Sequence, residues 1–123
     1  DDKVEFVEVS VLDDDFPSDV DVVFHLAALS SRNMHEEDPQ KGCRVNVEGF
    51  VNTVERAPNH GCDTVVYAST SSIYGSRTQP SPESMTVESQ TAYEASKLAR
   101  ERYAEYYAHH HDMNMTGLRF FSV

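Results

Sequence analysis

The sequence predicts an α/β protein organised around a parallel sheet, and two observations carry that reading. Two short, nearly continuous apolar runs, Asp21 to Ala28 (DVVFHLAA) and Asp63 to Ala68 (DTVVYA), have the composition of strands covered on both faces. Segments with helical spacing follow them, which gives the order strand, strand, helix, strand, helix, strand. That alternation belongs to a sheet wound by right-handed crossovers.

Each element has its own justification. Val4 to Val11 alternates loosely and is expected as a first strand, ahead of the strand at Asp21 to Ala28. Ser30 to Gln40 is polar and contains Pro39, so it is expected as a loop with room for a helical turn. From Gln40 to Ala57 the spacing of Val47, Phe50, Val51 and Val54 predicts an amphipathic helix, stopped by Pro58-Asn59-His60-Gly61. The strand at Asp63 to Ala68 leads into a hydroxyl-rich loop, Ser69 to Ser72, and a polar stretch with Pro80 and Pro82. Thr91 to His111 reads as a long helix and Thr116 to Phe121 (TGLRFF) as a last strand. There is no internal repeat and no low-complexity linker. Because the chain opens and closes almost directly on strands, residues 1–123 are expected to be the central and C-terminal part of one domain of a longer enzyme.

Composition narrows the function classes. The net charge is -11, with 21 Asp+Glu against 10 Lys+Arg, which argues against nucleic acid and anionic membranes as partners. The acids are dispersed (Asp13-Asp14-Asp15, Glu36-Glu37-Asp38, Glu101, Glu105), a surface suited to high salt, and a halophilic source is expected. No apolar run approaches the ~20 residues of a membrane span, and no signal peptide is expected. Cys43 and Cys62 match no metal spacing and are expected as reduced thiols of a cytoplasmic protein. His109-His110-His111 sits near a helix end, where consecutive side chains diverge, so no metal site is expected.

The chemistry concentrates in Tyr93-Glu94-Ala95-Ser96-Lys97. Residues i and i+4 share a helix face, so Lys97 can stabilise the phenolate of Tyr93, whose ordinary pKa is near ~10. A tyrosine tuned in this way exchanges a proton with a hydroxyl near neutral pH. In an open parallel sheet, ligands bind at the carboxyl ends of strands. Three such ends carry small or polar residues: His25 to Ser31, with Leu26, Ala27, Ala28 and Ser30; Ala68-Ser69-Thr70-Ser71-Ser72; and Phe120-Phe121-Ser122. Hydroxyls at one strand end and a Tyr/Lys pair on the next helix form a proton relay.

DVVFHLAALSS, NVEGFVNTVERA, VVYASTSSIYG, YEASK and LRFFSV, in that order, resemble the extended short-chain dehydrogenase/reductase family. Within it they are most similar to the NAD-dependent sugar-nucleotide epimerase/dehydratase group typified by UDP-glucose 4-epimerases. The resemblance runs through essentially the whole chain. It implies part of a doubly wound Rossmann-type parallel sheet, without the N-terminal glycine-rich βαβ unit and the C-terminal substrate domain. None of the five glycines forms G-x-x-G-x-x-G, so the pyrophosphate loop is expected before residue 1.

The resemblance also implies roles. Thr70, Tyr93 and Lys97 fall at the catalytic positions, with Lys97 also on the nicotinamide ribose. Leu26, Ala27, Ala28, Ala68 and Ser69 would line NAD, Asn46 would support the cofactor side, and Phe120 and Phe121 would lie near the nicotinamide. Thr70, Ser71, Tyr93 and Ser122 would meet a nucleotide-sugar substrate. Three positions depart from the pattern. Ser10 replaces a common Asp near the adenine, leaving its hydroxyl or the Val11 backbone to hold that ring. Ser30 stands where some epimerases have lysine, and Ser122 replaces the Asn of Phe-Phe-Asn. Dehydratases of the group carry an acid after the threonine, whereas this chain has Thr70-Ser71-Ser72. The expected reaction is therefore epimerisation, at C4 of a UDP-sugar, by transient oxidation. A dehydratase or decarboxylase, an NAD(P)-dependent reductase, and a non-catalytic dinucleotide-sensing protein are the alternatives. A homodimer through helices 40–57 and 91–111 is also implied.

Overall fold

The computed structural model describes residues 3–13 and 17–122; Asp14 and Asp15 of the acidic run lie outside them. Three parallel strands form one sheet in the order β1 (Val23–His25), β2 (Thr64–Thr70), β3 (Asn114–Phe120). The β2–β3 ladder runs from Thr64↔Asn114 to Thr70↔Phe120. The β1–β2 ladder is short and ends at His25↔Tyr67. All three strands point the same way, so their carboxyl ends share one edge of the sheet. The fold is a partial Rossmann-like α/β arrangement.

A nearly unbroken run of helix joins β1 to β2. It comprises α1 (Arg32–Glu37), α2 (Pro39–Cys43), a π-helical turn (Arg44–Glu48) and α3 (Gly49–Arg56), and then the 3-10 turn Ala57–His60. The loop expected over Ser30 to Gln40 is thus mostly helix. The reason is capping: Ser31 Oγ accepts from Met34 N, and Asp38 Oδ1 accepts from Lys41 N with Pro39 at the first helical position. Gly61, at φ 80°, closes the run in the left-handed conformation.

Thr91 caps α4 (Ala92–His110), accepting from Glu94 N at 3.1 Å, while Glu94 Oε2 reaches back to Gln90 N at 2.8 Å. The buried residues of α4 are Ser96, Lys97, Arg100, Ala104 and Tyr107, one stripe at i, i+1, i+4, i+8 and i+11. Its second half is apolar and meets Phe50, Val54, Ala57, Cys62, Val65, Tyr67 and Met113 in the core between helices and sheet. Its first half is cationic and lies under the strand ends.

The expected first strand is absent. Residues Val4 to Val9 pair with no described strand, and Val4 and Phe6 are 80% and 86% exposed. Alternation favours a strand only where a neighbour takes its backbone hydrogen bonds, and the sheet ends at β1 on that side. The segment's end is nevertheless anchored, because Asn52 Nδ2 donates to Val11 O and Val11 packs against Gly49. Cys43 is an exposed free thiol and Cys62 a buried one. His109 and His110 end α4, and all three histidines are exposed. No described helix is long and apolar enough to cross a membrane.

Candidate active site

The sheet's carboxyl edge opens into a crevice of about 490 Å³. Its walls are Leu26, Ala28 and Ser30 after β1, Ala68 to Ser72 from β2 and the following turn, Tyr93 and Lys97 from α4, and Phe120, Phe121 and Ser122 at and after the end of β3. Residues separated by almost a hundred positions meet here because three parallel strands end at one level. Ser10, Val11 and Ala27 do not line it. They surround an adjoining cavity of about 220 Å³, which Leu26 also borders. Ser10 Oγ already accepts from Leu12 N at 3.2 Å, which rigidifies the turn there.

Thr70 is the last residue of β2 and caps the 3-10 turn Ser71–Tyr74. Its Oγ1 accepts from Ser72 N at 3.2 Å and donates to Ser72 Oγ at 3.1 Å. Beside it, Ser69 Oγ is buried with no hydrogen-bond partner among the described residues. Lys97 is 3% exposed; its Nζ donates to Ala68 O at 3.4 Å and lies 5.8 Å from the Tyr93 ring centroid. Burial, and secondarily the Arg100 charge, pull the Lys97 ammonium down to about 8. Tyr93 sits in the first turn of α4.

Asn46 stands behind the crevice wall, fully buried. The wide π-helical turn directs it inward. Its Oδ1 accepts from Leu29 N at 2.8 Å, and its Nδ2 donates to Leu29 O and Ser96 Oγ, both at 3.0 Å. Ser96 Oγ in turn donates to Tyr93 O at 2.7 Å. Because Nδ2 spends both hydrogens in this way, the nearby His35 Nε2 carries its own proton and donates it to Leu29 O at 3.0 Å. The His35 ring meets Tyr93 edge-on, 5.5 Å between centroids. Asn46 thus links the β1 loop to the backbone of Tyr93.

Arg119 holds the β3 end. It donates to Glu101 Oε1 at 2.8 Å, Tyr74 Oη at 3.0 Å and Glu83 O at 3.1 Å, and Tyr74 stacks on Phe121 with centroids 6.2 Å apart. Beyond Ser72 a further cavity of about 510 Å³ is lined by Tyr74, Glu88, Gln90 and Glu94 among others.

Sequence reasoning missed Arg100, His35 and His25. Arg100 shares the α4 stripe with Tyr93 and Lys97, at i+7 and i+3, and that spacing was the available signal. His35 has no such signal, since only the α1 cap turns it inward. His25 ends β1 and lies against Phe50, with burial, then Arg100 and Lys97, holding it down to about 3. Among the described residues no group of three or more His, Cys, Asp or Glu is placed to hold a metal ion.

The chain has relatives among known proteins. The chain is 38% identical over 104 residues to UDP-glucuronate 4-epimerase 6 of Arabidopsis thaliana, a match covering 82% of this chain and 23% of that protein. It is 35% identical over 124 residues to the UDP-glucose 4-epimerase of Mycolicibacterium smegmatis, covering 95% and 40%. The chain therefore spans well under half the length of these relatives. Among solved structures, the UDP-glucuronic acid 4-epimerase of Bacillus cereus in complex with UDP-glucuronic acid and NAD superposes with a TM-score of 0.78 at 27% identity, covering 85% of this chain and 33% of that one. The family model described as the NAD dependent epimerase/dehydratase family matches residues 1–123. The chain belongs to the NAD dependent epimerase/dehydratase family.

Proposed function

We propose that the full-length protein epimerises a nucleotide sugar at C4 of a UDP-sugar, and that residues 1–123 are the central and C-terminal part of its NAD-binding domain. The observation that carries this reading is the single crevice that gathers Thr70, Tyr93 and Lys97 with the small residues ending β1 and β2. Those residues fit a dinucleotide: Ala28 and Ala68 permit close approach, and Ser69 Oγ offers a buried hydroxyl with no partner among the described residues. Leu26, Ala28, Ala68, Ser69, Phe120 and Phe121 hold NAD, with Ser10, Val11 and Ala27 around the smaller cavity at its adenine end. NAD, when bound, supplies the redox chemistry.

The chain's own residues manage the proton. Thr70 Oγ1 donates a hydrogen bond to the oxygen of the sugar hydroxyl and orients it. The Tyr93 phenolate takes the sugar hydroxyl's proton and later returns it. The Lys97 ammonium, 5.8 Å from the Tyr93 ring centroid, stabilises the phenolate. Ser71 and Ser72 follow Thr70 where elimination would call for an acid, which supports epimerisation over dehydration. Names of relatives favour UDP-glucose and UDP-glucuronate as the sugars to try. α4 exposes Tyr103 and Tyr106, a face suited to the homodimer contact.

Incubating the full-length protein with UDP-glucose and with UDP-glucuronate, and following the products by NMR, tests the reading. The expected result is interconversion with the 4-epimer and no net consumption of added NAD(H). A keto-deoxy product without epimer, or stoichiometric NAD(P)H oxidation, would sink it.

A further inference from the structure

We propose that Arg100 is a positioning residue of the Tyr93–Lys97 site, tying the ends of β1 and β2 across the crevice floor and holding a permanent positive charge beneath the pair. The proposal rests on the reading of that pair as the proton-transfer site. Arg100 is 0% exposed and the largest fully buried side chain described. No described carboxylate pairs with it. Its guanidinium instead donates to three backbone carbonyls from three separate segments. Nε donates to Asn46 O at 2.7 Å, Nη1 to Ala68 O at 3.2 Å and Nη2 to Ala27 O at 2.8 Å.

The positions of two of those carbonyls are informative. The β1–β2 ladder ends at His25↔Tyr67, and Ala27 and Ala68 lie just past that end, where the strands stop bonding to each other. The rigid planar fork of Arg100 restores a link there. It thereby sets the spacing between the two strand ends that form the crevice. An apolar residue would fill the stripe without desolvating a charge, as Ala104 does one turn further along. The third carbonyl belongs to Asn46, so the same guanidinium also fixes the residue that braces Leu29 and Ser96.

The charge has a separate effect. Lys97 Nζ donates to the same Ala68 O, so two cations share one acceptor. Burial pulls Arg100 down to about 10, well above neutrality, and Lys97 down to about 8, with Arg100 adding to that shift. As pH rises through 8, Lys97 loses its proton while Arg100 keeps its own. The titratable and charged groups around the pair are Tyr93, Lys97 and Arg100 on α4, His25 from β1, Tyr67 from β2, and His35 from α1 through its contact with Tyr93. Glu101 and Glu105, also on α4, and Arg119 of β3 act on Tyr67.

The test uses the full-length protein with Arg100→Met and Arg100→Lys, read by amide hydrogen exchange and by the pH profile of kcat on UDP-glucose or UDP-glucuronate, whichever the wild type converts. In Arg100→Met, exchange across 26–29 and 68–71 should accelerate about tenfold or more while 65–67 stays within about threefold. Its kcat should fall about tenfold or more with KM within about threefold, and the alkaline limb should move up by roughly half a unit or more, because Lys97 no longer faces a like charge. Arg100→Lys keeps the charge but lacks the fork, so it should hold the wild-type limb and show the faster exchange. Arg100→Gln is read in the same way as Arg100→Met if the latter does not fold. A folded neutral variant with unchanged exchange in both segments, or with an unmoved limb, overturns the proposal. If the wild type converts neither sugar, the functional reading fails while the exchange result still judges the tie.

Discussion

Replacing Asn46 by Ala should destabilise the full-length protein by about 2–4 kcal/mol, and the structure shows where that figure comes from. Three hydrogen bonds disappear, but their loss is unequal. Leu29 O keeps the His35 Nε2–H, and Ser96 Oγ keeps Tyr93 O as its acceptor. Leu29 N is left with nothing, having had Asn46 Oδ1 at 2.8 Å. One stranded donor costs about 1–3 kcal/mol, and the space vacated by a fully buried side chain adds about 1 kcal/mol. The assay is urea denaturation followed by circular dichroism, comparing midpoints at equal slope. Hydrogen exchange at Leu29 should report the same opening locally. A loss below about 0.5 kcal/mol, or an unchanged Leu29 amide, would refute the assignment of Asn46 as the brace of the crevice wall.

Three further predictions follow from neighbouring residues. His25 is held down to about 3 against an ordinary 6.5, so between those pH values the unfolded chain binds a proton that the folded chain does not. Stability should therefore fall as pH drops through this window, by up to about 1.4 kcal/mol per unit, and NMR titration of the ring should show no midpoint above about 5. Gly42 has no room for a methyl group, because a Cβ there would run into the His35 ring. Gly42→Ala should cost about 1–3 kcal/mol by calorimetry, and a Gly42→Ala/His35→Ala double mutant should lose less than the two singles combined. The Tyr93 hydroxyl donates to no described residue, so Tyr93→Phe should leave the melting temperature within about 1 °C while lowering turnover about 100-fold or more. Unchanged turnover would remove Tyr93 from the chemistry.

Much of the helix–strand alternation was legible because it is locally encoded. Thr91 to His111 was expected as a helix and Ala92–His110 is one, since a Thr cap and a regular buried stripe act within a few residues of each other. Cover on both faces was expected of both apolar runs, and β2 has it at Val65, Tyr67 and Ala68, whereas Phe24 of β1 is 67% exposed. Val4 to Val9 shows the limit of the same reasoning: alternation records a preference, whereas a strand also requires a partner that local sequence does not supply. The helical stretch from Arg32 to Cys43 was hidden because two short capped turns resemble a polar loop when read residue by residue. Within the site, Thr70, Tyr93 and Lys97 stood out by residue type. Arg100 did not, because a buried cation satisfied only by carbonyls depends on where three separate backbones end. His35 was invisible for a related reason, since its contacts with Leu29 and Asn46 are set by the turn that Ser31 begins.

The turn after β2 gives the Thr70 hydroxyl a partner with which it can trade roles. A hydroxyl has one hydrogen and two lone pairs. Here the hydrogen goes to Ser72 Oγ and one lone pair takes Ser72 N–H. Ser72 Oγ is a hydroxyl too, so it can donate in turn and free the Thr70 hydrogen for an oxygen entering the crevice. An alcohol accepts that hydrogen and keeps its own for Tyr93, and the ketone derived from it accepts the same hydrogen. Turning two hydroxyls, at about 1 kcal/mol or less, thereby lets one residue hold both oxidation states of what enters.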